Sequence, residues 1–493
     1  MQKIIPLAAV SSSRPPVRRE PRADGGGCAS SSCGARPEAD ALPPEVWNKV
    51  KDHPCYSQEA HHFFARMHVA VAPACNIQCH YCNRKYDCAN ESRPGVVSET
   101  LTPERAARKV AWVASQMPQL SVVGIAGPGD ALADPRRTFE TCARVAAALP
   151  DVKLCLSTNG LALPEWVDEI KAHAIDHVTI TINAVDPEVA ARIYAWVAHD
   201  KRRLTGRDAA AVLIERQWLG LDRLVAAGVL VKVNSVMIPG VNDAHLREVN
   251  AELKARGAFI HNIMPLISDP AHGTRYGLTG QRGPTASELK ALQDDLAGGA
   301  NLMKHCRQCR ADAVGLLGDD QGAAFALDRL PDAPAIDHAG RVRYRSVVER
   351  ERRDRAAATV RAEDGLRGAG TDDRLLVAVC SKGSGRINQH FGHASAFQIY
   401  EVDRHGVRLV GHRRATRYCQ GGYGEDDALA ATIDLLDGID AVLCARIGQA
   451  PRDRLAAAGI RATDAFAHDY IEPAVARLFV DTVGGTESIA RTA

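Results

Sequence analysis

Cys75-Asn76-Ile77-Gln78-Cys79-His80-Tyr81-Cys82 is the stretch on which the reading of this chain turns. Its cysteines are spaced CxxxCxxC and follow the apolar run Met67 to Ala72, so it reads as a cluster loop leaving a β-strand. A [4Fe–4S] cube has four irons and normally takes four thiolates. Three thiolates in one short loop hold three irons and leave the fourth open to an exogenous ligand. The plainer readings are a zinc site or a ferredoxin-type cluster. Zinc wants four protein ligands in paired CxxC or CxxH form, which this loop does not offer.

Working outward, 493 residues leave room for about two to four domains. The net charge of +2 argues against nucleic acid or an anionic membrane as the main partner. No apolar run approaches the ~18 residues of a membrane span. Ile4 to Val10 is apolar but short, without a convincing cleavage site, so a cytoplasmic protein is expected. Fourteen cysteines in such a chain point to metal or redox roles rather than disulfides. Their placement agrees: Cys55, Cys75, Cys79, Cys82 and Cys88 crowd one segment, and Cys306 and Cys309 form a separate CxxC.

Residues 1–41 are rich in Ser, Pro, Arg and Gly and read as a disordered tail. Over 42–318, apolar β-like runs alternate with helical patterns. The strands are expected at Met67–Ala72, Ser121–Ala126, Val152–Leu156, His177–Ile182, Leu230–Ile238 and Ala258–Met264. Helices fall between them, as at Pro103–Gln116 and Asp243–Arg256. Such alternation means parallel strands with crossover helices. An α/β partial (β/α)₆ barrel is expected, with a doubly wound sheet as the runner-up. Residues 319–372 read as a linker with a short charged, solvated helix in the Arg/Glu-rich run Arg341 to Arg355. Residues 373–485 form a second, small α/β domain.

In barrels of this type chemistry sits at the C-terminal ends of strands. The second strand ends in Gly127-Pro128-Gly129-Asp130, whose glycines allow close backbone approach to a ligand. The third gives Cys155-Leu156-Ser157-Thr158-Asn159-Gly160, the fourth Thr181-Ile182-Asn183, the fifth Asn234 to Gly240 with Ile238. Singly each is an ordinary turn. In register with the cluster loop they are five polar or glycine-rich strand ends. His53-Pro54-Cys55, His61-His62 and His68 add soft ligands just upstream, although a histidine near a strand is more often a hydrogen-bonded core residue. A CxxC can be a redox pair, half a zinc site or two ligands of a second cluster; after a complete barrel, as at Cys306 and Cys309, the cluster is preferred.

The CxxxCxxC spacing with Tyr81 before the last cysteine resembles the radical S-adenosylmethionine (SAM) superfamily. There SAM chelates the open iron, and an electron from the cluster cleaves it to a 5′-deoxyadenosyl radical. The resemblance implies SAM contacts at Tyr81, Gly127, Gly129, Asp130, Ser157, Thr158, Asn159, Thr181, Asn183, Asn234 and Ile238. Asp130 stands where many members carry Glu. Longer stretches narrow the match: His53-Pro54-Cys55, Ala72 to Cys79, Asn83 to Gly95 and His272-Gly273-Thr274 resemble the NifB family of nitrogenase cofactor biosynthesis. Gly385 to Ala394 resembles iron–molybdenum-cofactor carrier domains, which have a ribonuclease H-like fold.

What that family does becomes the expectation here. It fuses two [4Fe–4S] clusters and inserts a SAM-derived carbide, giving the [8Fe–9S–C] precursor of the nitrogenase cofactor. Catalytic roles fall to Cys75, Cys79, Cys82, Cys155 and Glu91. The substrate clusters would be held by Cys55, Cys88, Cys155, Cys306, Cys309 and one of His53 and His68. The expected partners are an Fe–S donor scaffold, an electron donor and downstream nitrogenase cofactor carriers. A radical SAM enzyme with an auxiliary cluster and an organic or peptide substrate is the alternative. It would need space near the first cluster, where the thiols lie. A non-catalytic cluster scaffold would need no SAM contacts.

Overall fold

Runs of Val, Leu and Ile separated by amphipathic helices bury best as one sheet covered by those helices, and the computed structural model of the chain shows that sheet. It describes residues 42–57, 59–83, 99–303, 305–306, 311–317, 319–368, 373–415 and 425–490. The expected tail, 1–41, lies outside the described residues.

The first ten strands are β1 Ala65–His68, β2 Ile77–Cys79, β3 Leu120–Ile125, β4 Lys153–Thr158, β5 His177–Thr181, β6 Tyr194–His199, β7 Arg202–Leu204, β8 Leu230–Met237, β9 Ile260–Pro265 and β10 Val314–Gly315. The main sheet runs β10-β1-β3-β4-β5-β8-β9, parallel except for β10, which is antiparallel to β1. Its parallel strands follow chain order without reversal. A doubly wound sheet reverses at a switch point, so this is the curled half-barrel. Helices α1 Pro44–Val50, α2 Pro103–Gln116, α3 Pro135–Ala148, α4 Leu163–Ala172, α5 Gly206–Ala226 and α6 Leu246–Ala255 accompany it. Thr102 starts α2, its side chain accepting from the Arg105 amide, with Pro103 set at the first helical position.

Strand alternation divides the side chains between two faces. Met67, Val123, Leu156, Val178 and Val231 pack under the helices in the main core. Their neighbours Arg66, His68, Cys155, His177 and Lys232 turn to the inner face and are buried there. The inner face is therefore polar while wholly desolvated. Its N-terminal end is closed by α1 and the segment after it. The Tyr56 hydroxyl reaches the Val178 and Leu230 carbonyls at 3.3 and 3.1 Å, and Lys153 Nζ donates to the Asn48 carbonyl at 2.8 Å.

Two features differ from the expectation. The first strand stops at His68 rather than Ala72. Val69 and Ala72 still donate to Gly124 and Gly127 carbonyls, but Pro73 and Pro128 lack the amides that a regular ladder would continue with. The cluster loop is also itself a strand. β2 pairs antiparallel with β6, Ile77 opposite Val197 and Cys79 opposite Tyr194, in a small sheet completed by β7.

Helix α7, His338–Arg367, occupies the segment expected as a linker and runs for 30 residues. It is not short, and although one side faces solvent, its buried arginines are neutralised by acids that mostly lie distant in sequence. Arg341 is bound to Asp151, Arg352 to Asp52, Glu59 and Glu349, and Arg355 to Glu472. Val348 packs with Phe63 and Phe64 of the barrel, whereas Leu366 lies in the core of the second domain. That domain has strands β11 Leu375–Val379, β12 Ala396–Asp403, β13 Gly406–Arg414, β14 Ala441–Leu443 and β15 Arg461–Thr463, in the order β13-β12-β11-β14-β15. Helices α8 Glu425–Leu435 and α9 Gln449–Ala457 serve one core cluster, α10 Ile471–Ala490 the other. Among the described residues no helix is long and apolar enough to cross a membrane.

Candidate active site

The thiol loop is held from both sides. Pairing of β2 with β6 fixes its first half, and Gln78 Nε2 donates to the Cys79 and Cys82 carbonyls at 3.0 and 2.8 Å to close its turn. None of Cys75, Cys79 and Cys82 is engaged in a disulfide. Burial, then the neighbouring Cys82 and Cys75, push the Cys79 thiol well above its ordinary range. A buried thiol with two more beside it becomes a thiolate most readily next to a compensating cation, so the donor set fits an iron–sulfur cluster. Among the described residues no three His, Cys, Asp or Glu side chains are closed about one point at metal-ligand spacing.

The second and third strand ends reach the loop through backbone and side-chain hydrogen bonds. The Gly129 amide donates to the Ala72 carbonyl at 2.6 Å and the Asp130 amide to Ala74 at 2.7 Å. Asp130 does not project its carboxylate freely. It accepts from the Leu132 amide at 2.9 Å, the Asn159 amide at 2.5 Å and the Thr158 hydroxyl at 3.1 Å. Burial raises its pKa and these donors pull against that rise. Asn159 in turn places its amide nitrogen 2.7 Å from Asn76 Oδ1 and 3.9 Å from Cys75 Sγ. The second and third strand ends thus form a brace ending on the first thiol.

Tyr81 and Asn183 form a second brace beneath the loop. Tyr81 is fully buried, and Asn183 Nδ2 donates to its hydroxyl at 2.8 Å and to that of Tyr194 at 3.0 Å. The Asn183 carbonyl oxygen of the side chain accepts from the Val236 amide. Ile238 is buried, its amide bound to Asn242 Oδ1. Thr181 is buried, its carbonyl accepting from Gln217. Ser157 belongs to the inner face by alternation. On the outer side of the loop, Gln78, Cys79, Cys82, Asn83, Gly273 and Arg275 line a pocket of about 490 Å³. The His272-Gly273-Thr274 motif is placed there by Asn83 Nδ2, which donates to the His272 carbonyl at 3.1 Å.

The remaining thiols separate by position. Cys155 lies within β4, not in a loop after it, in register with Gly124 and His177. Cys55 comes from the segment closing the N-terminal end of the barrel, so the two thiols are supplied by different parts of the fold. Cys306 accepts from Asn262 Nδ2 at 3.3 Å, and Asn262 also donates to Asn234 Oδ1 at 2.9 Å. His305 Nε2 lies 3.0 Å from the Pro54 carbonyl, which brings Cys306 against the same apolar cluster as Cys55. Cys88, Glu91 and Cys309 lie outside the described residues.

The two candidate histidines stand differently. His68 leans over Gly124, where a Cβ would approach its ring to 3.1 Å. His53 accepts at Nδ1 from the Cys55 amide at 3.2 Å. Its ring packs tilted against His177 and edge-on against Tyr56, centroids 4.4 and 4.6 Å away. His177, Lys232 and Asn262 escaped the reading of the sequence. The signal was present: His177-x-Thr179-x-Thr181 and Lys232-x-Asn234 alternate polar with apolar, the mark of a strand whose inner face needs polar groups.

Comparison with known proteins follows this geometry. Residues 69–253 match the radical SAM superfamily, and residues 373–480 match the family described as dinitrogenase iron-molybdenum cofactor. Along nearly its whole length the chain is similar to proteins named FeMo cofactor biosynthesis protein NifB. That of Sinorhizobium fredii is 61% identical over 468 residues, 95% of each chain. That of Rhodobacter capsulatus is 62% identical over 91% of this chain and 100% of its own. The Azotobacter vinelandii protein is 55% identical over 93% and 94% respectively.

Proposed function

The chain belongs to the NifB family of FeMo cofactor biosynthesis proteins, and from that premise we propose how its radical SAM domain uses the residues described. As a radical SAM enzyme it works with SAM and a [4Fe–4S] cluster. When bound, these supply methyl transfer and radical hydrogen abstraction. The proposed reaction joins two [4Fe–4S] substrate units and builds a SAM-derived carbon into them as the carbide of an eight-iron product.

Cys75, Cys79 and Cys82 hold three irons of the SAM-binding cluster in this reading. Gly127 and Gly129 keep the backbone close, Asn159 directs an N–H toward the Cys75 sulfur, and Asp130 positions Asn159 and Thr158 rather than meeting the cofactor first. Ser157, Thr181 and Asn234 present polar groups to the lumen, and Tyr81, Asn183 and Ile238 support the floor. Cys55, Cys155, Cys306 and His68 line the space for the substrate clusters, with Cys88, Cys309 and Glu91 assigned by family resemblance. The buried Lys232 offsets the negative charge of a thiolate-bound substrate. A donor scaffold, an electron donor and a downstream cofactor carrier complete a cytoplasmic pathway. The second domain is the docking surface for the finished product.

One observation carries this reading: a half-barrel whose inner face is desolvated yet lined by thiols and imidazoles, with the three-thiol loop across its C-terminal end. The test is anaerobic purification, iron analysis, and assay for 5′-deoxyadenosine and S-adenosylhomocysteine. About twelve irons, three cubes of four, with both nucleosides formed in one turnover, are expected. Deoxyadenosine alone, on about eight irons, would instead support an organic or peptide substrate.

A further inference from the structure

We propose that His177 is a further ligand of the iron–sulfur substrate, binding one iron through Nδ1 beside Cys155. The assignment rests on the reading that the lumen receives iron–sulfur units, and it begins from the tautomer. His177 Nε2 lies 3.0 Å from the Lys49 carbonyl oxygen. A carbonyl only accepts, so Nε2 carries the proton and Nδ1 of the neutral ring carries the lone pair. Nδ1 is itself buried and has no hydrogen-bond partner. Buried polar atoms in folded proteins are nearly always satisfied, and one left open costs stability unless something fills it.

The register supplies what would fill it. His68 pairs with Gly124, Gly124 with Cys155, and Cys155 with His177, in one row across four strands. Neighbouring strands are about 4.8 Å apart, so the row offers an imidazole, a gap, a thiol and an imidazole at successive steps. A cube needs ligands of that kind on adjacent irons, one per iron. Convergence on one point is not required, which agrees with the absence of a closed three-ligand group among the described residues. His53 is the less suitable imidazole. Its Nδ1 already accepts from the Cys55 amide, so its lone pair is committed. The hydrogen bond from His177 to Lys49 also acts as a conserving device within the fold: a carbonyl holding Nε2–H orients the ring and fixes which nitrogen is free to ligate.

The test uses full-length protein reconstituted anaerobically with ferrous iron and sulfide, with and without ¹⁵N-histidine. The readouts are iron per chain and pulsed electron paramagnetic resonance of the reduced clusters. His177→Gln retains an N–H near the Nε2 position, so the tie to Lys49 survives while the Nδ1 lone pair is removed. We expect His177→Gln to lose one histidine-nitrogen coupling and about one cube's worth of iron, four atoms, while the signal of the three-thiol cluster persists. A purely structural His177 would lower the melting temperature of the apoprotein in His177→Ala yet leave coupling and iron unchanged in His177→Gln, and that result overturns the assignment. Wild-type protein holding only four irons would overturn the lumen reading as well. Twelve irons with an unaltered coupling would overturn the His177 assignment alone.

Discussion

A Cβ built on Gly129 would lie 2.0 Å from the Ala74 carbonyl oxygen and 2.9 Å from that of Ala72. Both oxygens accept backbone amides, from Asp130 and Gly129 respectively, so neither can retreat without breaking the brace. Gly129→Ala should therefore destabilise the barrel by about 3–5 kcal/mol. Because Ala74 precedes Cys75, the variant should also lose iron from the thiol loop. Wild-type iron content and melting temperature in Gly129→Ala would contradict this account. His261 illustrates a residue whose effect is read through pH. Asn250 Nδ2 stands 2.9 Å from its Nδ1 and Ser235 Oγ 2.9 Å from its Nε2. Asn250 Oδ1 accepts from the Ala300 amide, which prevents an amide flip and keeps the ring neutral. Burial lowers the folded pKa to about 3, against about 6.5 unfolded. The folded value is depressed, so the stabilisation is present above about pH 6.5 and is lost as pH falls toward 3. Its slope approaches about 1.4 kcal/mol per pH unit. His261→Gln should be less stable at pH 7 by about 1–3 kcal/mol, yet its urea midpoint should fall less between pH 6 and 4. Parallel pH curves for the two proteins would show that His261 does not titrate on unfolding.

At the scale of elements, α7 joins two bodies through charge that has been taken out of water. Arg352 is only 9% exposed. It lies between Asp52 and Glu59 at 3.2 Å each, donates to the Lys51 carbonyl, and passes over the Trp47 and Phe64 rings. Removing one partner of a buried pair leaves the others uncompensated, at about 3–5 kcal/mol. Arg352→Ala should lower the unfolding midpoint accordingly, and Arg352→Met should recover part of the loss by packing on the rings. Equal midpoints for Arg352→Ala and wild type would mean that the cluster of charges is solvated. Legibility from sequence divides along the same line. The thiol loop could be read because its ligand spacing is local, and the six parallel strands because each is a contiguous apolar run. The role of α7 could not, since Arg341, Arg352 and Arg355 resemble any solvated arginines until Asp151, Asp52 and Glu472 arrive from elsewhere in the chain. The brace through Asp130 was hidden for the same reason, its partners Thr158 and Asn159 lying on another strand. The β2–β6 pairing was likewise obscured by the hundred-odd residues between its strands.

For the whole molecule, the described residues of the second domain meet the barrel at its N-terminal end. The Ser384 amide donates to the His62 carbonyl at 2.5 Å, and the His412 ring stands 6.4 Å from that of His61. Both barrel histidines precede β1. Helix α7 approaches that same end. The Tyr344 hydroxyl donates to the Phe63 carbonyl at 2.6 Å, and Arg341 reaches Asp151, just before β4, and the carbonyl of Leu120, the first residue of β3. Two truncations therefore separate what the helix does from what the domain does. A chain ending after Arg367 keeps α7 on the barrel and loses only the domain beyond it. It should fold, bind iron, and form 5′-deoxyadenosine at a rate within about twofold of the full chain, a barrier change of less than about 0.5 kcal/mol. A chain ending after Leu330 loses α7, exposes Phe63 and Phe64, and strips the cations from Asp52, Glu59 and Asp151. It should be recovered in lower yield and melt well below the longer truncation. Passage of the product to a carrier should slow in both. If the chain ending after Arg367 folds and binds its clusters yet makes no eight-iron product, the second domain takes part in the chemistry and the barrel does not suffice for it.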